Sequence, residues 1–211
     1  MSKVNVINNA GKDFVVTVDK KDDGVQIVID LIADEKRLSE LNPGDVFKDE
    51  DGEEYILWYF TDDDDAAVLK KDSLQEKMGF SYANNNYDGC IIDKYLNHEY
   101  YNDLVDKFGK ENIVKHDVDL LSLDGCDDYD VVTRDVSIPT IDQYRKHRKT
   151  IGKKLNCWWW LATPDSTPSG CGSGCVRYVG SDGRVGCGGY DFDVAVRPFF
   201  VLKSSIFVSC K

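Results

Sequence analysis

The tract from Cys157 to Phe200, CWWWLATPDSTPSGCGSGCVRYVGSDGRVGCGGYDFDVAVRPFF, constrains the fold more than any other part of the chain. It opens with three consecutive tryptophans and closes on an apolar run, and residues 165–193 between them are dominated by glycine, serine, cysteine and aspartate. Aromatic and β-branched runs of this kind are stable only when buried as strands. The stretch between them is too poor in apolar side chains to form core, so it must lie on a surface held at both ends. The expectation is a strand at CWWWLATP ended by Pro164, a hairpin at CVRYVGSDGRVG turning at Ser181, Asp182 and Gly183, and a closing strand at VAVRPFFVL with a proline bulge.

Upstream, DFVVTVDKKDDGVQIVIDLI is two β-branched runs around an Asp-Gly step, which predicts a hairpin. Its nearly continuous valines and isoleucines would leave an apolar face bare, so residues 1–33 are expected to be an N-terminal docking or oligomerisation hairpin. Residues 34–211 form the main domain. That part begins with a short polar helix at ADEKRLSEL and a Pro-Gly turn at NPGD, followed by strands at DVFKDEDGEEYILWYF and AAVLKKD. In DGCIIDKYLNHEYYNDLVDKFG, Ile92, Tyr95, Leu96, Leu104, Val105 and Phe108 recur at helical spacing up to Gly109, giving one broken helix or two. A further helix starts in SIPTIDQYRKHRK, where Thr140 can cap and Gln143 can reach back as its capping-box partner. Arg145, Lys146, Arg148 and Lys149 then suit the negative end of the helix dipole. Strands, helices and again strands predict an α+β fold with two helices and a mixed or antiparallel sheet.

A chain of 211 residues, 42% hydrophobic and 30% charged, can bury one sizeable core and has no apolar run long enough to cross a bilayer. Its first residues lack the pattern of a secretory signal, so folding in a bacterial cytoplasm is expected. A net charge of −12 disfavours nucleic acid as a partner. The acidic runs KDEDGEE, TDDDDAA and DGCDDYD read as solvated turns, none having the ligand spacing of an EF-hand. Seven cysteines, at 90, 126, 157, 171, 175, 187 and 210, are an odd number in a chain too large to need disulfide staples, which predicts free thiols. CGSGC lacks the zinc-ribbon spacing and His98, His116 and His147 are remote in sequence, so no metal is expected; a Cys171–Cys175 bridge stays open. Neither a histidine-paired nucleophile nor a phosphate-cradling glycine motif is present, so the chain is expected not to be an enzyme and to carry no cofactor.

The motifs CWWWLATP, VRYVGSDGRVG and VAVRPFF resemble a family of domains of gut bacteria and their phages that reads W-W-L-R-S/T-P, then Y-V-x-S-D-G-x-V, then G-V-R-P-A. NPGDVF, DGCIIDKYLNHEYYN and DVDLLSLD resemble its upstream segments, so the likeness spans roughly residues 41–202. That family is similar to the C-type lectin fold shared with formylglycine-generating enzymes, and SIPTIDQYRKH resembles the L-P-T-E-x-E-W-E helix start of the wider group. The resemblance therefore implies a C-type-lectin-like fold whose surface between the Trp-Trp-Leu and Val-Arg-Pro strands binds ligands.

Several proteins of that fold are variable proteins of diversity-generating retroelements, in which adenine mutagenesis of AAC codons cannot yield Lys, Glu, Gln, Met or Trp. Residues 165–195 contain none of the five. A hypermutated surface and a plain glycine-rich loop both fit. Ala162 departs from the arginine of the family pattern, as do Val194 and Ala195 from its glycine, and the E-P-N, Q-P-D and W-N-D tripeptides of calcium-dependent sugar binding are missing.

The function implied is a ligand-binding, receptor-recognition display protein of phage or prophage origin, found in the virion. Cys171, Ser173, Arg177, Tyr178, Arg184, Cys187, Tyr190, Asp191 and Phe192 are its expected contact residues. Its partners would be a protein or glycan on a host surface, a virion component docked through residues 1–33, and further copies of itself. Two alternatives are a structural virion decoration or fibre protein and, on analogy with formylglycine-generating enzymes, a thiol and metal enzyme using Cys171, Cys175 and Cys187.

Overall fold

The computed structural model describes residues 14–21, 24–31, 35–152 and 155–210, the first two segments as backbone. Strands β1 (Phe14–Lys21) and β2 (Gly24–Leu31) pair antiparallel from Phe14 opposite Leu31 to Lys21 opposite Gly24. The turn expected at 22–23 and the boundary expected at residue 33 lie outside the described residues. Next come β3 (Glu35–Arg37), β4 (Val46–Lys48), β5 (Glu54–Phe60), β6 (Ala66–Lys70) and β7 (Lys77–Met78). A long helix follows, then β8 (Ile113–Val114), β9 (His116–Val118), β10 (Val132–Arg134) and β11 (Val136–Ser137). After a short helix the chain ends in β12 (Trp159–Pro164), β13 (Cys175–Val179), β14 (Val185–Gly189), β15 (Val194–Ala195), β16 (Phe199–Leu202) and β17 (Phe207–Ser209).

Two larger sheets hold most of these strands, while β9 and β10 pair antiparallel with each other, as β1 and β2 do. An eight-stranded antiparallel sheet, curled into a half-barrel, runs β11-β16-β6-β5-β4-β17-β3, with β8 also pairing β16. A five-stranded sheet runs β14-β13-β12-β15-β7, and its β12–β15 pairing is parallel. Strands buried on both faces explain the near-continuous apolar runs in the sequence. In β5, Tyr55 and Leu57 enter one apolar cluster while Ile56 and Trp58 enter another. In β12, Trp160 and Ala162 enter the first and Trp159 and Leu161 the second. The long helix covers the first cluster and the short helix the second.

The expected fold class, an α+β C-type-lectin-like fold with two helices and a mixed or antiparallel sheet, is corrected to a mostly β architecture with one long helix of 18 residues. That helix joins α-helical turns at Ile91–Tyr95 and Tyr101–Phe108 through a π-helical turn at Leu96–Tyr100. Ile92, Leu96, Tyr100 and Leu104 form its buried stripe, and Gly109, at a φ of 79°, ends it. The Cys90 thiol accepts from Asp93 N at its start. At the π turn, Asn97 pairs through its amide with both Val136 N and Val136 O, and the Asp93 carboxylate takes Nε and Nη2 of Arg134 at 2.7 and 2.9 Å.

The second expected helix is only Ile141–His147. Its Thr140–Gln143 capping box forms, but the His147 carbonyl is taken by Trp58 Nε1 at 2.9 Å and by the Thr150 hydroxyl at 2.7 Å. A tertiary donor therefore stops the helix where local propensity would continue it. The short helix expected at ADEKRLSEL is likewise replaced by β3 and a 3₁₀ turn at Leu38–Glu40. Arg37 pairs with Phe207 of β17 and its guanidinium lies 4.9 Å from that ring.

Beneath β16, His116 stands with Nε2 2.8 Å from Ser137 Oγ and its ring edge-on to Phe199, while Nδ1 is shut from solvent without a partner. Burial pushes the imidazole down to about 4 against the lesser opposing effects of Val114 and Asp117. A base whose folded value lies below its unfolded value of 6.5 takes its proton more readily when unfolded, so the contribution of neutral His116 is whole above pH 6.5 and is lost as pH falls toward 4. The expected loss is on the order of 2–3 kcal/mol. His116→Asn is expected to flatten that part of the pH profile, read by comparing melting temperatures of the two proteins at neutral pH and at about pH 4.

Candidate functional site

The surface between β12 and β15 is built from three pieces of backbone. Pro164 ends β12, and residues 165–174 loop out before β13. One side chain closes this loop. Asn85, fully buried, donates through Nδ2 to the carbonyls of Ser166 and Cys175, both at 2.8 Å, accepts the Tyr129 hydroxyl at 2.9 Å, and donates its backbone N–H to Ser173 O. Both ends of the loop are thus clipped to one amide, which satisfies polar groups that would otherwise be stranded. Ser166 Oγ accepts from Cys171 N and Asp128 accepts from Ser169 N. Beside them, hydrogen bonds from Ser122 and then Ser166 pull the Asp124 carboxyl down to about 2.

The hairpin of β13 and β14 is in the register Cys175–Gly189, Val176–Gly188, Arg177–Cys187, Tyr178–Gly186 and Val179–Val185. Its tip turns at Gly183, at a φ of 80°, and the Gly183 carbonyl accepts the Tyr144 hydroxyl at 2.8 Å, pinning the tip to the short helix. Period-two alternation then divides the side chains between two faces.

On the face shared with Trp160, glycines oppose aromatics. A Cβ at Gly186 would come within 2.6 Å of Tyr178 Cζ and Oη, so the tyrosine ring lies down on the glycine; Gly188 sits under Tyr178, Phe192 and Trp160. Trp158 stacks on the outer side of this group, its ring centroid 4.8 Å from that of Tyr178 at an angle of 5°. Trp158 is 51% exposed and Phe192 57%. Gly186→Val is expected to push the Tyr178 ring off its seat and dismantle the stack while leaving the fold intact, read as loss of near-UV circular dichroism with unchanged far-UV signal.

The opposite face carries Arg177, Cys187 and Cys175. Arg177 is partly buried and ion-paired to Asp165, so its guanidinium is engaged within the protein. The Cys175 thiol is pushed up, first by burial and then by neighbouring Cys187, away from a reactive thiolate. All seven cysteines are free, and the described residues contain no cluster of three or more His, Cys, Asp or Glu able to hold a metal ion.

The nine expected contact residues therefore do not converge. Tyr178 and Phe192 share the aromatic face. Arg177 and Cys187 lie on the other, and Arg184 is exposed at the tip. Cys171 and Ser173 belong to the loop clipped by Asn85, with Cys171 exposed and Ser173 partly buried. Tyr190 is partly buried against the first apolar cluster and its carbonyl accepts from Phe80 N and Ser81 N, while Asp191 is exposed. Three residues central to the surface were missing from the expected set. Trp158 could have been found, because alternation puts it on the face of Trp160 but beyond the strand. Asn85 and Asp193 carry no local signal.

Two hollows flank Trp158. One, of about 230 Å³, is lined by Lys77, Asn156, Cys157, Ser181, Asp193 and Val194 as well as the indole. The other, of about 380 Å³, lies between Trp158, Tyr178 and the hairpin tip at Ser181, Asp182 and Arg184. No helix of the described residues is long and apolar enough to cross a membrane. Comparison with protein-family models, with curated proteins and with solved structures finds no match to this chain.

Proposed function

We propose that the protein is a ligand-recognition display module of phage or prophage origin, presenting the surface of β13, β14 and residues 190–193 to a receptor on a host cell. The observation that carries this reading is the contrast between that surface and its anchors. Trp159–Pro164 and Val194–Leu202 are buried throughout, whereas Trp158, Cys171, Arg184, Cys187, Asp191 and Phe192 are exposed on glycine-rich backbone. Exposed aromatic rings on a rigid sheet are costly to leave in water and are the usual anchors of a binding surface. The likeness of CWWWLATP, VRYVGSDGRVG and VAVRPFF to domains of gut bacteria and their phages supports the host-surface setting. Engagement of Arg177 by Asp165 and the raised Cys175 thiol favour binding over thiol chemistry.

The test is binding of the fluorescently labelled full chain to intact cells of a panel of gut bacteria. The reading predicts saturable binding to at least one strain, lowered at least about tenfold, or 1.4 kcal/mol, by Arg184→Ser with Phe192→Ser, both exposed, at a melting temperature within a few degrees of the wild type. Equal binding by that double variant and the wild type, or no binding to any strain, contradicts it.

A further inference from the structure

The four tryptophans of the chain are treated very differently by the fold. Trp58, Trp159 and Trp160 are 0, 2 and 0% exposed, while Trp158 is half exposed. Yet Trp158 is not loose. Its ring lies flat on Tyr178, Tyr178 lies on Gly186 and meets the edge of Trp160 at 6.4 Å, and Trp160 Nε1 is fixed to Met78 O at 3.1 Å. The backbone of Trp158 is also held, its carbonyl accepting from Ala195 N. A buried indole, a tyrosine and an exposed indole thus form a supported stack, with one broad face of Trp158 covered by Tyr178.

The shallow hollow against Trp158 has a polar rim. The side chains of Asn156, Ser181 and Asp193 line it without an intramolecular partner among the described residues. They offer an amide, a hydroxyl and a carboxylate, which together can donate to and accept from vicinal hydroxyl groups. The only large apolar surface between them is the single indole plane.

This combination selects a ligand class. A quaternary ammonium group wants several aromatic faces enclosing it, and here Trp158 and Tyr178 are parallel and stacked on each other, so they form no cage. An apolar peptide segment wants a deep greasy groove, which a rim of Asn156, Ser181 and Asp193 does not supply. A pyranose ring has one face of polarised C–H bonds that sits on the negative face of an aromatic ring, and an equator of hydroxyls that need polar partners. Lys77 balances Asp193 in the lining of the hollow and Arg184 is ion-paired to Asp182 beside it, so the hollow suits a ring without net charge, and the net charge of −12 on the whole chain gives an anionic sugar no advantage.

We infer that Trp158 is the stacking platform of a subsite for one neutral pyranose ring of a glycan, with Asn156, Ser181 and Asp193 taking its hydroxyls. The inference rests on reading this face as a recognition surface and names the class of ligand that the surface takes.

The burial of the other three tryptophans gives a specific probe, since quenching of tryptophan fluorescence by acrylamide reports Trp158. Methyl glucopyranoside, galactopyranoside and mannopyranoside are added at about 50 mM, a concentration that saturates a millimolar site, with glucuronate as the anionic comparison. At least one neutral glycoside is expected to protect Trp158 saturably and glucuronate is not. In saturation-transfer NMR, the signal of the protecting glycoside is expected to vanish in Trp158→Ala, to persist in part in Trp158→Phe, and to need about fivefold more ligand in Asp193→Asn. Failure of all three neutral glycosides to protect, or a signal unchanged in Trp158→Ala, overturns the assignment.

Whole cells separate this inference from the broader one. Cell binding abolished by periodate, which cleaves vicinal diols, supports the sugar subsite. Binding that survives periodate but not protease removes the sugar and keeps receptor recognition, whereas glycoside protection without cell binding keeps the sugar subsite and removes the display role.

Discussion

Arg197→Leu is expected to destabilise the protein by about 3–4 kcal/mol, lowering the melting temperature by about 10 °C. Arg197 is 1% exposed, and its Nε and Nη2 donate to the carbonyls of Lys70 and Lys71, each at 2.8 Å. These carbonyls lie where β6 leaves the half-barrel, so the guanidinium joins the two sheets at the Val-Arg-Pro step. Its planar group also lies 5.3 Å from the centroid of Trp159, a contact worth up to about 2 kcal/mol when shielded from water. Burial opposes the charge and pushes the guanidinium down to about 10, which still leaves it ionised at neutral pH. Leucine removes that burial penalty but strands two carbonyls, at about 1–3 kcal/mol each, and the stranded carbonyls dominate. Arg197→Lys is expected to fall between the two, because an ammonium cannot span both acceptors in the plane of the fork. Thermal unfolding of the three proteins checks the order.

Trp160→Ala has the second large effect, about 3–5 kcal/mol. Trp160 is fully buried, meets Phe80 edge-on at 5.8 Å, holds β7 through Met78 O and backs Tyr178. Its removal opens a cavity in the first apolar cluster and withdraws the support of the exposed stack, so stability and recognition fall together. Trp158→Ala, at the other end of the same stack, is expected to change stability by no more than about 1 kcal/mol. The two neighbouring tryptophans are therefore separable by one pair of melting curves: a deep loss for residue 160, a shallow one for residue 158.

Local signals in the sequence carried over where the structure is itself local. The Thr140–Gln143 capping box, the hairpin turning at Gly183, the stripe from Ile92 to Leu104 and the strand ended by Pro164 are each decided within a few residues. What was illegible depends on distant partners. The short helix stops at His147 because Trp58 takes its carbonyl, and Glu35–Arg37 is a strand because β17 lies beside it. Strands of two or three residues, such as Lys77–Met78 and Val194–Ala195, have no periodicity to read, and they make the protein mostly β. The same limit governs the site. A glycine-rich surface tract was legible from composition, but which of its side chains stand out was not: Arg184, Asp191 and Phe192 are exposed while Arg177, Tyr178 and Tyr190 are partly buried, and the ion pair that occupies Arg177 and the clip made by Asn85 join residues far apart along the chain or across a turn.

The central claim is that the outward side chains of residues 171–192 can change while the frame behind them does not. The most direct measurement is the melting temperature of a chain carrying Cys171→Ser, Arg184→Ser, Cys187→Ser, Asp191→Asn and Phe192→Ser together. Exposed substitutions each move stability by no more than about 0.5 kcal/mol and partly cancel, so the account predicts one cooperative transition within about 5 °C of the wild type. A fall of more than about 15 °C, or loss of the cooperative transition, would show that these side chains belong to the core's own stability and would contradict the account.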